Sequence, residues 1–316
     1  MCRRTGIIQL VWAYAITAPG QLSRVEAPRP EPGEGQQLVR LRAGGICGSD
    51  LPLFRGRRSE YFIDNTGDPG FPLHEVVGDA EDGTRLVGWA SGHRGLAEYF
   101  LVDPGHVIAV EADLSDVEAT VIQPLATVLY ALNRVGAVEG RRAAVIGLGS
   151  IGLLFAHVLA ARGAQVTGVD RVDRRAVAGA FGLHEVLWAD AAELPADTFD
   201  LVIEAVGHQT HTLSAGAQAI APDGTLYAFG VPDDTHHPFP FAQFFRKNGT
   251  LVTGVARERA PSLTAARDYL MGARALLDAY ITDVLPVERA QEAFTRAVAP
   301  TLGRTKIVLS VADVDA

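Results

Sequence analysis

Arg142-Ala143-Ala144-Val145-Ile146-Gly147-Leu148-Gly149-Ser150-Ile151-Gly152, followed by Gln165-Val166-Thr167-Gly168-Val169-Asp170, decides the fold. An apolar run rich in small and β-branched residues reads as a buried strand. A glycine-rich turn follows, then a helical stretch at 151–162, then a second strand ending on a carboxylate. A G-x-G-x-x-G pattern alone says little in a chain with 33 glycines. Placed between a strand and a helix, with an acid at the end of the next strand, it is the fingerprint of a dinucleotide site. Gly147 permits the tight turn, Gly149 lets backbone approach a pyrophosphate, and Gly152 allows close helix–strand packing. Ser150 and Ile151 open the helix, whose N-terminus offers unpaired N–H groups and partial positive charge to phosphates. Asp170 can accept hydrogen bonds from both ribose hydroxyls and repels a 2′-phosphate, which favours NAD over NADP. Arg171 beside it can hold a 2′-phosphate and pulls the other way.

Outward from this unit the alternation continues. Apolar strands are expected at 200–204, 225–229 and 250–253, with helical stretches between them, notably 210–220. Strand–helix alternation of this kind predicts α/β architecture with a doubly wound parallel sheet. Upstream, to about residue 110, short strands are broken by Gly and Pro, with a strand at 37–41. Residues 116–133 read as a helix interrupted at Pro124. Downstream, helices are expected at 262–279 and 287–298 and a last strand at 305–311. With 316 residues there is room for about two domains.

Composition narrows the function classes. The net charge of −9 and the absence of a basic patch exclude nucleic acid and anionic membranes as natural partners. The only lysines are Lys247 and Lys306, a compositional bias toward Arg. Two cysteines, Cys2 and Cys47, exclude a disulfide framework and any four-Cys zinc module. Arg3-Arg4 and the apolar residues after it have some likeness to a signal peptide. The β-branched and aromatic content, Gln9 within the run, and the turn at 18–21 favour a first strand instead. No apolar run reaches a membrane-spanning length, and a cytoplasmic location is expected.

Gly44-Gly45-Ile46-Cys47-Gly48-Ser49-Asp50 and Phe71-Pro72-Leu73-His74-Glu75 precede the fingerprint. Thiolate, imidazole and carboxylate are the donors that Zn²⁺ accepts. Asp50 suits a role in orienting the His74 ring through its other nitrogen.

The ordered set Cys47–Asp50, His74-Glu75, Gln123-Pro124-Leu125-Ala126 and the fingerprint resembles the zinc-dependent medium-chain dehydrogenases/reductases of the alcohol and polyol dehydrogenase type, over nearly the whole chain. The resemblance implies a GroES-like β-barrel catalytic domain, residues 1–124 and 257–316, with an NAD-binding Rossmann domain, residues 125–256, inserted into it. It implies one catalytic zinc on Cys47, His74 and Glu75, a proton relay at Ser49, and Asp50 as partner of the ligand His. It assigns Gly147, Gly149, Ser150, Ile151, Gly152, Asp170, Arg171, Val206, Gly230 and Arg304 to the dinucleotide. The implied reaction is hydride transfer between NAD and a secondary alcohol or ketone of a polyol, sugar or cyclitol.

The chain departs from the family pattern at several points. Leu73 stands where relatives carry Gly. Gln123 stands where they carry an acid or thiol near the metal. Pro52 replaces a His that extends the relay in some relatives. The segment 57–70 is long, and 82–89 runs where relatives carry a structural-zinc lobe, so no structural zinc is expected. His93, Tyr61 and Arg55 are further cleft candidates. Two competing readings stand beside the zinc enzyme: a zinc-free medium-chain reductase acting on a carbonyl, signalled by Gln123, and a non-enzymatic NAD-binding protein. A homodimer through Rossmann edge strands or the Phe-rich stretch 238–245 is the favoured assembly.

Overall fold

Two large sheets and a two-stranded one order the chain, and the computed structural model describes residues 9–57 and 65–311 of it. The strands are β1 (Leu10–Ala18), β2 (Gln21–Pro28), β3 (Gln37–Gly45), β4 (Glu75–Ala80), β5 (Arg85–Trp89), β6 (Tyr99–Val102), β7 (Val107–Ala109), β8 (Arg142–Ile146), β9 (Gln165–Asp170), β10 (Glu185–Trp188), β11 (Phe199–Glu204), β12 (Ile220–Ala228), β13 (Thr250–Thr253), β14 (Ile281–Pro286) and β15 (Lys306–Ser310). The helices are α1 (Asp50–Phe54), α2 (Asp116–Ala119), α3 (Ile122–Val135), α4 (Ser150–Ala161), α5 (His211–Ala219), α6 (Phe241–Arg246), α7 (Arg259–Gly272), α8 (Leu276–Tyr280) and α9 (Ala290–Val298).

The first sheet has the order β10-β9-β8-β11-β12-β13, every pairing parallel. The chain starts in the middle, at β8, winds outward to β10, then returns to β11 and winds the other way. That reversal between β8 and β11 opens the crevice in which doubly wound sheets bind ligands. The helix after β8, α4, is apolar nearly all round, and Leu153, Leu154, Phe155, Ala156, Val158 and Leu159 are fully buried. Each large side chain among them contributes roughly 1.5–3 kcal/mol by leaving water. This burial anchors the helix N-terminus at the crevice.

The second sheet follows the path β14-β15-β3-β4-β5-β7, with β6 on β3. β15 pairs with residues 43–45 of β3 and β6 with residues 37–40, so the two share one edge of it. Its pairings are antiparallel except β14 with β15. The described strands form a mixed path, to which isolated bridges such as Ala13↔Ala97 tie the β1–β2 ladder, as the expected β catalytic unit requires. The chain leaves this sheet after β7 and returns at β14, so the parallel unit is inserted into it.

Several expected elements shift. The helix at 116–133 breaks at 120–121, not at Pro124, which occupies the first turn of α3, where a missing N–H is harmless. Residues 262–279 form two helices, α7 and α8, separated after Gly272. Between β9 and β10 the crossover is made by short 3₁₀ turns, Arg175–Val177 and Gly179–Phe181, in place of an α-helix. Cys2 and Tyr61 lie outside the described residues. Among those described, no helix is long and apolar enough to cross a membrane.

Candidate active site

A cleft of about 580 Å³ runs between the two sheets. Cys47, Ser49, His74 and Glu75 line one end; Gly147, Gly149, Ser150, Ile151, Asp170 and Arg171 line the other, with Val206 and Gly230 also on the wall. Asp50, Gly152 and Arg304 are not on its wall.

The loop leaving β3 carries Cys47 and Ser49 into α1. Asp50, the first residue of that helix, is buried and ties the loop to the start of β4. Its Oδ2 accepts the Cys47 N–H at 3.0 Å and its Oδ1 lies 3.0 Å from His74 Nδ1. With Nδ1–H donated to Asp50, Nε2 is the atom left to face a ligand, and a metal taking it displaces its proton. Burial opposes the charged imidazole, but the Asp50 carboxylate outweighs it, and the His74 pKa stands well above its ordinary 6.5. The ligand atoms of Cys47, His74 and Glu75 lie within 4.8 Å of one another. A thiol, an imidazole and a carboxylate at that spacing fit a zinc ion.

Two features of this end were not legible in sequence. Glu75 Oε2 accepts a hydrogen bond from Lys306 Nζ, which also donates to the Ile46 carbonyl at 2.9 Å. Lys306 and Glu75 are each only 1% exposed, so this ion pair is sealed from water. Arg259, at the start of α7, lies 5.1 Å over the Trp89 ring, and its Nη1 donates to His106 Nδ1 at 2.9 Å; it too lines the cleft. His93 stacks on His74 with ring centres 4.3 Å apart, and burial, then the His74 charge, push its pKa down to about 3. Leu73, fully buried, donates its N–H to the His93 carbonyl at 2.9 Å and so pins that loop over the cluster. Gln123 is buried on the cleft wall, Pro52 is buried in α1, and Arg55 turns away to the Val298 carbonyl.

At the dinucleotide end, Gly147 has φ +88°, and a Cβ on it would meet Val206 Cγ2 at 2.5 Å. A Cβ on Gly152 would sit 1.7 Å from the Gly147 carbonyl oxygen, so α4 packs directly on the turn. Gly149 is open, with nothing within 4 Å of the position a Cβ would take. This exposed cradle at a helix N-terminus fits a diphosphate. Asp170 Oδ2 accepts the Leu148 N–H at 2.6 Å and Oδ1 the Val172 N–H at 2.7 Å. Arg304 donates to the Arg296 carbonyl at 2.8 Å, at the end of α9. Arg174 lines the cleft. Glu204, buried, accepts from the N–H groups of Val206 and Gly207 at 3.0 and 3.1 Å and from Thr212 Oγ1 at 2.8 Å, which fixes the turn carrying Val206.

A parallel sheet whose reversal meets a glycine turn, set against a mixed sheet that supplies thiol, imidazole and carboxylate, defines a medium-chain dehydrogenase/reductase of the alcohol and polyol dehydrogenase type. Residues 119–300, more than half of the chain, match the family described as "Glucose dehydrogenase C-terminus", and the chain belongs to that family. It is 28% identical to glucose 1-dehydrogenase of Thermoproteus tenax, with 87% of this chain and 93% of the relative covered. Among solved structures, alcohol dehydrogenase TADH from Thermus sp. ATN1 superposes with TM-score 0.79 at 26% identity, covering 95% of this chain and 99% of the other. Haloferax mediterranei glucose dehydrogenase, in complex with NADP, Zn and gluconolactone, superposes with TM-score 0.77 at 20% identity over 96% and 100% of the two chains.

Proposed function

We propose that the chain transfers hydride between NAD and the secondary alcohol or ketone of a polyol, sugar or cyclitol, with one zinc ion held by Cys47, His74 and Glu75. The observation that carries this is the single cleft lined at one end by those three donors and at the other by the glycine turn and Asp170. When bound, zinc supplies a Lewis acid that stabilises the developing alkoxide.

The protein's own groups do the rest. Asp50 holds the His74 tautomer and, through the Cys47 N–H, the loop that carries the thiol. Lys306 holds the Glu75 carboxylate in place at the edge of the cluster through their buried ion pair. Ser49 Oγ, on the cleft wall, takes the substrate hydroxyl proton and passes it toward the ribose and solvent. Pro52 offers no donor or acceptor side chain to continue that route through α1. Val206 and Gly230 set the nicotinamide against the substrate. Asp170, beside the turn, selects NAD over NADP. Residues 1–124 and 257–316 make up the catalytic domain and 125–256 the dinucleotide domain. The working location is the cytoplasm. The assembly is a homodimer through edge strand β13 and the flanking Phe241 and Phe245, which are 68% and 71% exposed.

Metal stoichiometry, measured beside NAD-linked oxidation of a polyol and sugar panel, tests the proposal. One zinc per chain and its loss in Cys47→Ala, together with loss of turnover, are expected. A metal-free protein with full turnover, or an active Cys47→Ala, overturns the zinc assignment. Gln123 and the Glu75–Lys306 pair favour one second reading, a zinc-free carbonyl reductase, and that same active metal-free protein would establish it.

A further inference from the structure

We propose that Arg174 holds the diphosphate of the bound dinucleotide. The proposal rests on the dinucleotide-binding reading above and adds a residue that neither the fingerprint nor the family resemblance assigns.

Arg174 follows Asp170 by four residues, just ahead of the 3₁₀ turn Arg175–Val177. It is 5% exposed, a depth at which arginine is seldom found without a counter-charge. Yet among the described residues it forms no ion pair. Its Nη1 donates to the carbonyl of Arg304 at 2.8 Å, with the Thr301 carbonyl at 3.4 Å. Its Nε is buried without a hydrogen-bond partner. The residue lines the cleft, at the end that carries the glycine turn. The Asp170 carboxylate attracts it only from beyond ion-pair distance. A guanidinium whose hydrogen bonds go to neutral carbonyls, set on the wall of a cleft, is placed to meet an anion from that cleft.

The dinucleotide brings phosphoryl oxygens, which the planar fork of an arginine matches. The diphosphate is common to NAD and NADP; the 2′-phosphate belongs to NADP alone. The Asp170 carboxylate opposes a second dianion at the ribose, so the diphosphate is the group assigned. The carbonyls that seat Arg174 belong to the loop between α9 and β15, in the other domain. A diphosphate on Arg174 is therefore gripped across the seam between the two sheets.

The test is ligand affinity in the full chain, by isothermal titration with NADH, NADPH, ADP-ribose and adenosine. Arg174→Met is expected to raise the Kd of NADH, NADPH and ADP-ribose alike by about 10- to 100-fold, and to leave that of adenosine unchanged. Arg174→Gln, which keeps a donor for the two carbonyls, should show the same pattern, and supplies the answer if the Met variant does not fold. Arg174→Lys should recover part of the loss. Unchanged affinity for all four ligands overturns the proposal, as does equal weakening of adenosine, which marks a structural role. A loss confined to NADPH overturns the diphosphate assignment in favour of the 2′-phosphate. A wild-type protein that binds neither NADH nor NADPH overturns the dinucleotide reading itself. Wild-type binding with indifferent variants overturns only the role of Arg174.

Discussion

Replacing Lys306 by Met isolates the most deeply buried charge pair at the site. Lys306 and Glu75 are both 1% exposed, and Nζ also satisfies the Ile46 carbonyl. The Met side chain fills most of the lysine volume, so the cost is electrostatic, not a cavity. It leaves the Glu75 carboxylate sealed without its cation, and breaking a buried pair on one side costs about 3–5 kcal/mol. In a chain of this size that corresponds to a drop in Tm on the order of 10 °C. The assay is urea unfolding of the metal-free protein at pH 7 for wild type, Lys306→Met, Glu75→Gln and the double variant. The double variant removes both charges and should regain at least half of the loss of Lys306→Met. Zinc gives Glu75 another cation, so the penalty should shrink in the zinc-loaded protein. A single-variant loss below about 1 kcal/mol, or a double variant whose loss is the sum of the two singles, would refute the idea that this pair is held as a unit.

Three further outcomes are expected. Asp50→Asn should weaken zinc binding about 10- to 100-fold in competition with a chelator, because an amide offers one neutral acceptor oxygen where two donors, His74 Nδ1–H and the Cys47 N–H, now share a carboxylate; unchanged affinity would remove Asp50 from that role. Gly152→Ala places a Cβ 1.7 Å from a backbone oxygen, so the turn must move. That should cost roughly 1–3 kcal/mol and weaken NADH binding, both readable in one thermal-shift series with and without NADH, and full retention of both would show that the turn yields freely. Burial holds the pKa of His157 below its ordinary 6.5, so below that pH the unfolded chain binds more protons than the folded one. Stability present above about pH 6.5 should therefore fall as pH falls, and His157→Gln should flatten denaturant midpoints between pH 7 and 5; an unchanged slope contradicts this.

The strand–turn–helix unit at 142–170 was legible because its signals are local: a run of buried apolar residues, three glycines at fixed offsets, an acid one strand later. Cys47, Asp50, His74 and Glu75 were legible as a set because their chemistry is shared, although Asp50 and His74 are 24 residues apart. Lys306 was hidden by distance. A lysine opening the last strand carries no mark that it will face Glu75, 231 positions away. Arg174 was hidden in another way: nothing in the run Arg171-Val172-Asp173-Arg174-Arg175 marks which arginine is buried on the cleft wall. β14 and β10 escaped notice because short edge strands alternate weakly. The break in the 116–133 helix moved because proline is tolerated in a first turn, so the residue that looked disruptive was instead a good starter.

The distance between Glu75 and Lys306 also sets an order of assembly. Joining residues 231 apart costs about 2 kcal/mol more in chain entropy than joining residues 24 apart. The ribosome widens that gap in time, because β15 is made after the whole inserted unit. During synthesis Asp50 can already engage His74 while Glu75 still faces water without its cation. The parallel unit can fold inside the unfinished chain and bring β3 and β15 within reach of each other. The acidic side of the cluster is therefore closed late, by a strand docking onto a domain whose other parts have long been in place.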